Sequence, residues 1–66
     1  MTIQLNGNEH KLEKPISIQE LLKSIGLANK PVVVELNQTA LFPREYQQNI
    51  LRENDQVEII TIAAGG

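Results

Sequence analysis

The chain has 66 residues, of which 41% are hydrophobic, and six basic against eight acidic side chains give a net charge of −2. This length makes a single small domain, and the dispersed basic residues argue against a nucleic-acid partner, which needs a clustered basic face. The absence of cysteine excludes a disulfide and a thiolate metal site. No apolar run reaches the ~20 residues of a membrane span and no signal peptide is evident, so we expect a cytoplasmic protein without a membrane partner.

The first segment predicts a β-hairpin. Apolar residues alternate with polar ones at Met1, Ile3 and Leu5, which is the period of a strand with one buried face. Asn6-Gly7 follows, and this pair is a strong signal for a two-residue hairpin turn. A weaker alternation carries the second strand as far as Leu12.

The segment from Ser17 to Gly26 predicts an amphipathic helix. Ser17 and Glu20 have the spacing of a capping box, in which each side chain accepts a hydrogen bond from the other residue's backbone. Gly26 lies where a left-handed C-cap is expected. The apolar stripe of this helix consists of Ile18, Leu21, Leu22 and Ile25.

The second half of the chain predicts three more strands and a short helical turn. We expect strands at 32–36, 40–42 and 56–62, and a helical turn at 44–48 that begins after Pro43. Ile50 and Leu51, between this turn and the last strand, are interpreted as core residues.

This order of elements predicts an α+β fold, a mixed sheet of four to five strands with one main helix packed across it. The opening hairpin and the helical crossover favour parallel pairing of the first and last strands in the centre of the sheet. That arrangement is the β-grasp, or ubiquitin-like, fold. We expect residues 1–62 to form this single domain and residues 63–66 to form a flexible C-terminal tail.

The C-terminal tail is narrow and uncharged. Gly65 and Gly66 lack a Cβ atom, so they can pass through a slot that is too narrow for side chains. Ala63 and Ala64 extend this narrow segment inward. Four extended residues reach about 13 Å, so the terminal carboxylate can enter the active site of another protein.

Six segments of the chain, in this order and at this length, resemble the ThiS family, the sulfur carrier proteins of thiamin biosynthesis. The resemblance covers essentially the whole chain, and Asn54-Asp55, where the family commonly has Gly-Asp, departs from it only in a turn. The segments are the hairpin through Asn6-Gly7, the helix with Glu20-Leu21-Leu22, Val34-Glu35-Leu36-Asn37, Pro43-Arg44-Glu45 before Tyr46, Asp55-Gln56-Val57-Glu58-Ile59-Ile60, and Ala64-Gly65-Gly66.

The resemblance implies a carrier rather than an enzyme. In that family an E1-like adenylyltransferase of the ThiF type adenylates the terminal glycine, here Gly66. A sulfur-donating protein then supplies the sulfur of a thiocarboxylate, which a thiazole synthase of the ThiG type uses to build the thiazole ring. The resemblance therefore implies no bound cofactor, because ATP is used by the activating partner, and the sequence itself has no P-loop and no paired acid and base.

The last strand also suggests where a partner docks. If Val57 and Ile59 face the core, then Glu58, Ile60 and Ile62 face outward. Exposed apolar residues often mark partner sites. Our hypothesis is that these three residues contact the activating enzyme.

Three other functions stay open on the sequence alone. The first is a MoaD-like sulfur carrier for molybdopterin synthesis, although such subunits are usually longer and often carry proline before the terminal glycines, where this chain has Ile62-Ala63-Ala64. The second is a ubiquitin-like protein modifier that is joined through Gly66 to lysines of its targets. The third is a plain interaction domain whose tail has no role.

Overall fold

The structure is a computed structural model that describes residues 1–62, so the predicted tail, residues 63–66, lies outside the described residues. Five strands, one α-helix and one 3₁₀ turn follow one another within these 62 described residues. In order they are β1 (Thr2–Leu5), β2 (Asn8–Lys11), α1 (Ile18–Ser24), β3 (Val32–Leu36), β4 (Thr39–Leu41), the 3₁₀ turn (Pro43–Glu45) and β5 (Gln56–Thr61).

The five strands form one mixed sheet in the order β2-β1-β5-β3-β4. β1 and β5 are parallel, with Gln4 opposite Gln56 and Leu5 opposite Val57, whereas the other neighbouring pairs are antiparallel. The prediction of a β-grasp sheet with the first and last strands paired in parallel at its centre is therefore confirmed.

Both ends of α1 have the predicted caps. The Ser17 hydroxyl accepts a hydrogen bond from the Glu20 N–H at 3.0 Å, and the Glu20 carboxylate accepts one from the Ser17 N–H at 3.0 Å. At the other end Gly26 has a φ of 79°. The Leu27 N–H then donates to the Leu22 carbonyl at 2.8 Å, which completes a Schellman motif.

The core lies between α1 and one face of the sheet. The helix and the strands both contribute side chains to a single cluster. Burying such side chains is the main source of stability in a domain that has no disulfide. The fully buried members are Ile3, Ile18, Leu21, Leu22, Val34, Leu51 and Val57.

The prediction that Ile50 and Leu51 are both core residues is wrong for Ile50. Leu51 is fully buried, but Ile50 is 50% exposed. Ile50 forms an isolated antiparallel bridge with Ser17, so the backbone here is extended. Successive side chains of extended backbone point in opposite directions, and only Leu51 can therefore face the core.

The helical turn is also shorter than predicted. It is a 3₁₀ turn over Pro43–Glu45 rather than a helical turn over 44–48. The Phe42 N–H donates to the Glu45 carboxylate at 2.8 Å, which closes the start of the turn. Tyr46, directly after it, is buried, and the chain then leaves the turn toward Leu51.

No helix within residues 1–62 has the length and apolar character needed to span a membrane.

Candidate functional site at the end of the central strand

The strand β5 leads directly into the predicted tail. It lies in the centre of the sheet, with β1 on one side and β3 on the other. The pairing with β3 runs from Leu36–Val57 to Val32–Thr61, and the Ile62 N–H continues it by donating to the Pro31 carbonyl at 2.9 Å. The chain therefore stays bound to the sheet up to the last described residue.

The two faces of β5 differ in the way the alternation predicts. Val57 and Ile59 are buried beneath α1, with exposed fractions of 1% and 7%. Glu58, Ile60 and Ile62 lie on the opposite, outer face of the sheet. Ile60 and Ile62 are 56% and 52% exposed, which is unusual for two large apolar side chains so close together.

The outer face carries two further apolar residues that the sequence did not assign to a site. Val33 lies opposite Ile60 and is 37% exposed. The pairing of β3 with β4, carried one residue further, places Phe42 opposite Val33, and Phe42 is 61% exposed. We call Phe42, Val33, Ile60 and Ile62 the outer apolar row.

Charged side chains flank the outer apolar row. On one side Glu35 and Glu58 lie directly opposite each other across β3 and β5, and like charges at such positions repel. On the other side the Arg44 guanidinium lies 4.8 Å from the centre of the Phe42 ring, within the range of a cation–π contact. The row is therefore apolar along its length, with acidic groups toward the start of β5 and a cation beside Phe42.

Two asparagine side chains bond to β5, one at its start and one at Ile59 in its second half. The Asn6 Oδ1 accepts a hydrogen bond from the Ile59 N–H at 2.7 Å, and its Nδ2 donates to the Ile59 carbonyl at 3.2 Å. At the start of β5 the Asn37 Oδ1 accepts from the Gln56 N–H at 2.9 Å, and its Nδ2 donates to the Asp55 carboxylate at 3.0 Å. Both asparagines have a φ of 50° and begin a turn.

The two resolved pKa shifts have structural causes away from the outer apolar row. The hydrogen bond from the Ser17 backbone lowers the pKa of Glu20. Burial raises the pKa of the Tyr46 hydroxyl. Within residues 1–62 we find no group of three His, Asp or Glu side chains that could hold a metal ion.

The structure brings together the three predicted docking residues, Glu58, Ile60 and Ile62, on one exposed face. The four predicted tail residues lie outside the described residues, and their roles stay predictions: Ala63, Ala64, Gly65 and Gly66. The alternation of Val33 with Val34 predicts that Val33 lies on the outer face, but no local pattern predicts that it lies opposite Ile60.

A β-grasp sheet whose central strand leads to a Gly-Gly terminus defines a small domain of the ubiquitin-like class. Comparison with known sequences then identifies the family. The sequence model of the ThiS family matches residues 3–66, and the chain belongs to this family of small sulfur carrier proteins.

Individual relatives agree with this assignment. The chain is 38% identical to the sulfur carrier protein ThiS of Bacillus subtilis over 65 residues, covering 97% of this chain and 98% of that one. It is 35% identical over its full length to a thiazole synthase of Magnetococcus marinus, but covers only 20% of that longer protein. The crystal structure of the thiamine biosynthesis protein ThiS from Geobacter metallireducens superposes with a TM-score of 0.85 at 26% identity, covering 100% of both chains.

Proposed function

We propose that this chain carries sulfur as a thiocarboxylate on Gly66 and supplies it for the thiazole ring of thiamin. The observation that carries this proposal is the match to the ThiS family, which extends from residue 3 to Gly66 itself. The absence of cysteine supports it, because no side-chain thiol can hold the sulfur.

The chemistry of an α-carboxyl group explains why activation is needed. Its pKa is about 3.3–3.7, so it is an anion at pH 7 and a poor electrophile. Attack of the Gly66 carboxylate on the α-phosphorus of ATP releases pyrophosphate and forms an acyl adenylate. Hydrosulfide released by the sulfur donor then adds to the carbonyl carbon, AMP leaves with the electron pair of the C–O bond, and loss of a proton gives the thiocarboxylate.

The proposal requires three partners. An ATP-dependent adenylyltransferase of the ThiF type activates Gly66, a sulfur-donating protein delivers the sulfur, and a thiazole synthase of the ThiG type receives it. The alignment of the whole chain with one fifth of a longer thiazole synthase supports the last of these, because a carrier-like segment and the synthase then occur in one polypeptide. The chain binds no cofactor in this scheme and acts in the cytoplasm.

We further propose that the outer apolar row, together with Glu58, is the docking surface for the activating enzyme. Four large apolar side chains are exposed on one side of the sheet, and such a patch typically marks an interface. Ile62 is the last residue before the tail, so an enzyme bound to the row is within reach of Gly66 when the tail is extended, about 13 Å away.

The proposed carrier function is tested by incubating the purified chain with the activating enzyme, ATP and a sulfur donor. We expect the intact mass to rise by the difference between a sulfur and an oxygen atom, and the chain that lacks Gly66 to show no change. Sulfur loading of the shortened chain at the normal rate would contradict the proposal, as would recovery of Gly66 only in amide linkage to lysines of other proteins.

The docking surface is tested by Ile60→Asp, with Ile50→Asp as the matched control. Both isoleucines are about half exposed, but Ile50 lies outside the outer apolar row. We expect Ile60→Asp to raise the KM of the carrier in the adenylation assay about 10- to 100-fold, as loss of an interface hot spot does. Circular dichroism should show both variants folded. Equal KM values for the two variants would exclude the outer apolar row as the docking surface.

A further inference from the structure

Backbone pairing on the β1 side of β5 ends early. β1 pairs with β5 only at Gln4 and Leu5, and the Asn6 N–H adds one bond to the Val57 carbonyl at 2.9 Å. The chain then turns into β2, whereas β3 follows β5 as far as Thr61. The second half of β5 therefore has backbone pairing on one side only.

The side chain of Asn6 extends this pairing along β5 from Val57 to Ile59. A carboxamide has the same donor and acceptor as a peptide group, and Asn6 uses both on the N–H and carbonyl of Ile59. Among residues 1–62 these are the last hydrogen bonds on the β1 side of β5. The next two outward-facing residues are Ile60 and Ile62, both members of the outer apolar row.

We propose that Asn6 is a positioning residue for sulfur loading, and this role rests on the proposed function. By holding Ile59 in the sheet, Asn6 keeps Ile60 and Ile62 in one fixed arrangement for the activating enzyme. Local opening is easiest where few hydrogen bonds hold the backbone, so this segment, which is paired to a neighbouring strand on one side only, depends on each bond that it has. A carrier whose docking segment is partly open binds its partner less tightly in proportion to the closed fraction.

Asn6 has two separate roles, because its backbone forms the turn and its side chain bonds to Ile59. One substitution separates these roles. Asparagine is favoured at this position because the turn requires a positive φ, here 50°. Glycine adopts that conformation freely but has no side chain. Asn6→Gly therefore keeps the turn and removes both hydrogen bonds to Ile59.

Asn37→Gly is a matched control. Asn37 has the same φ of 50° and also begins a turn. Its carboxamide bonds to Gln56 and Asp55, at the end of β5 that lies away from the tail. Loss of this side chain should cost comparable global stability without loosening Ile60 and Ile62.

The experiment combines amide hydrogen exchange with steady-state adenylation by the activating enzyme. In Asn6→Gly we expect exchange at Ile59 and Ile62 to become about tenfold faster, as the loss of two hydrogen bonds predicts. We expect the KM of the carrier to rise about three- to tenfold while kcat changes less than twofold. Asn6→Asp keeps the acceptor for the Ile59 N–H and should be intermediate in both measurements. Asn37→Gly should change neither.

Three results would overturn the positioning role. They are unchanged exchange in Asn6→Gly, faster exchange with an unchanged KM, and an equal rise in KM in both glycine variants. Failure of the unmodified chain to be adenylated would instead overturn the proposed function, and the positioning role with it. The two failures are distinguishable because the exchange measurement needs no partner.

Discussion

Isoleucines in this chain differ sharply in their surroundings. Ile3 and Ile18 are fully buried, whereas Ile50 and Ile60 are half exposed. Burial of such a side chain contributes roughly 1.5–3 kcal/mol, so the buried residues stabilise the domain. The exposed residues contribute little to folding, and the apolar surface of Ile60 is available to the partner proposed for the outer apolar row.

The neighbours Ile50 and Leu51 make this difference measurable. We expect Leu51→Ala to reduce the free energy of unfolding by about 2–5 kcal/mol, because it leaves a cavity in the core. Ile50→Ala should reduce it by no more than about 0.5 kcal/mol, as is usual for a surface position. Urea denaturation followed by circular dichroism gives both values. Similar losses of unfolding free energy in the two variants would contradict the conclusion that, of these two residues, only Leu51 is buried.

The capping carboxylate of Glu20 predicts that the free energy of unfolding falls as the pH is lowered into the acid range. Its pKa is lowered in the folded chain by the hydrogen bond from the Ser17 backbone, so its contribution is complete above the ordinary glutamate pKa of about 4.3. The contribution is lost as the pH falls through the lowered value. Glutamine at this position can still accept the bond from Ser17 but does not titrate.

We therefore expect the free energy of unfolding to fall less in Glu20→Gln than in the unmodified chain as the pH is lowered from neutral into the acid range. Denaturation midpoints measured on both sides of the glutamate pKa give the comparison. Parallel curves for the two proteins would show that the capping carboxylate does not contribute to the acid sensitivity.

At the scale of single elements, α1 was the most predictable part of the chain. Its N-cap, apolar stripe and C-terminal glycine all lie within ten residues, from Ser17 to Gly26, and the structure has them in the predicted roles. Local hydrogen bonds and a single helical period are sufficient to define such an element.

The end of α1 gives a further prediction. Gly26 has a φ of 79° with open space where a Cβ atom would lie, so a side chain there costs backbone strain rather than a clash. We expect Gly26→Ala to lower the free energy of unfolding by about 1–2 kcal/mol and Gly26→Asn to lower it less. Equal losses in urea denaturation would argue against a left-handed conformation at this position.

The strands show where prediction from the sequence stops. Alternation correctly assigned Ile60 and Ile62 to the outer face, since that requires only the period of one strand. The outer apolar row also contains Val33 and Phe42, which join it through the register between strands. The contact of Asn6 with Ile59 joins residues 53 positions apart, and no local pattern encodes such a pair.

At the scale of the whole molecule, the residues that the structure describes share one hydrophobic core. Its members come from β1, α1, β3 and β5 and from the loops between them, and the last is Ile59. Within residues 1–62 the last strand of the mixed sheet runs to Thr61. Folding and sulfur carriage are therefore expected to depend on different parts of the chain.

Truncation after Ile62 tests this division. We expect the chain of residues 1–62 to unfold with a free energy within about 0.5 kcal/mol of the full chain, as for other changes outside the core. It should acquire no sulfur in the loading assay. A large loss of stability would show that residues 63–66 contribute to folding, and would contradict a domain that ends at residue 62.

The parallel pairing of β1 and β5 has a practical consequence for labelling. Because both strands run in the same direction, Met1 lies at the opposite end of the sheet from Ile62. The Met1 nitrogen donates to the Leu12 carbonyl at 2.9 Å, and as a backbone amide it can still donate this bond when a residue is added before Met1. A fluorophore or affinity handle before Met1 is thus remote from Ile62, whereas one joined by a peptide bond after Gly66 would convert the carboxylate that the proposed loading reaction needs to an amide.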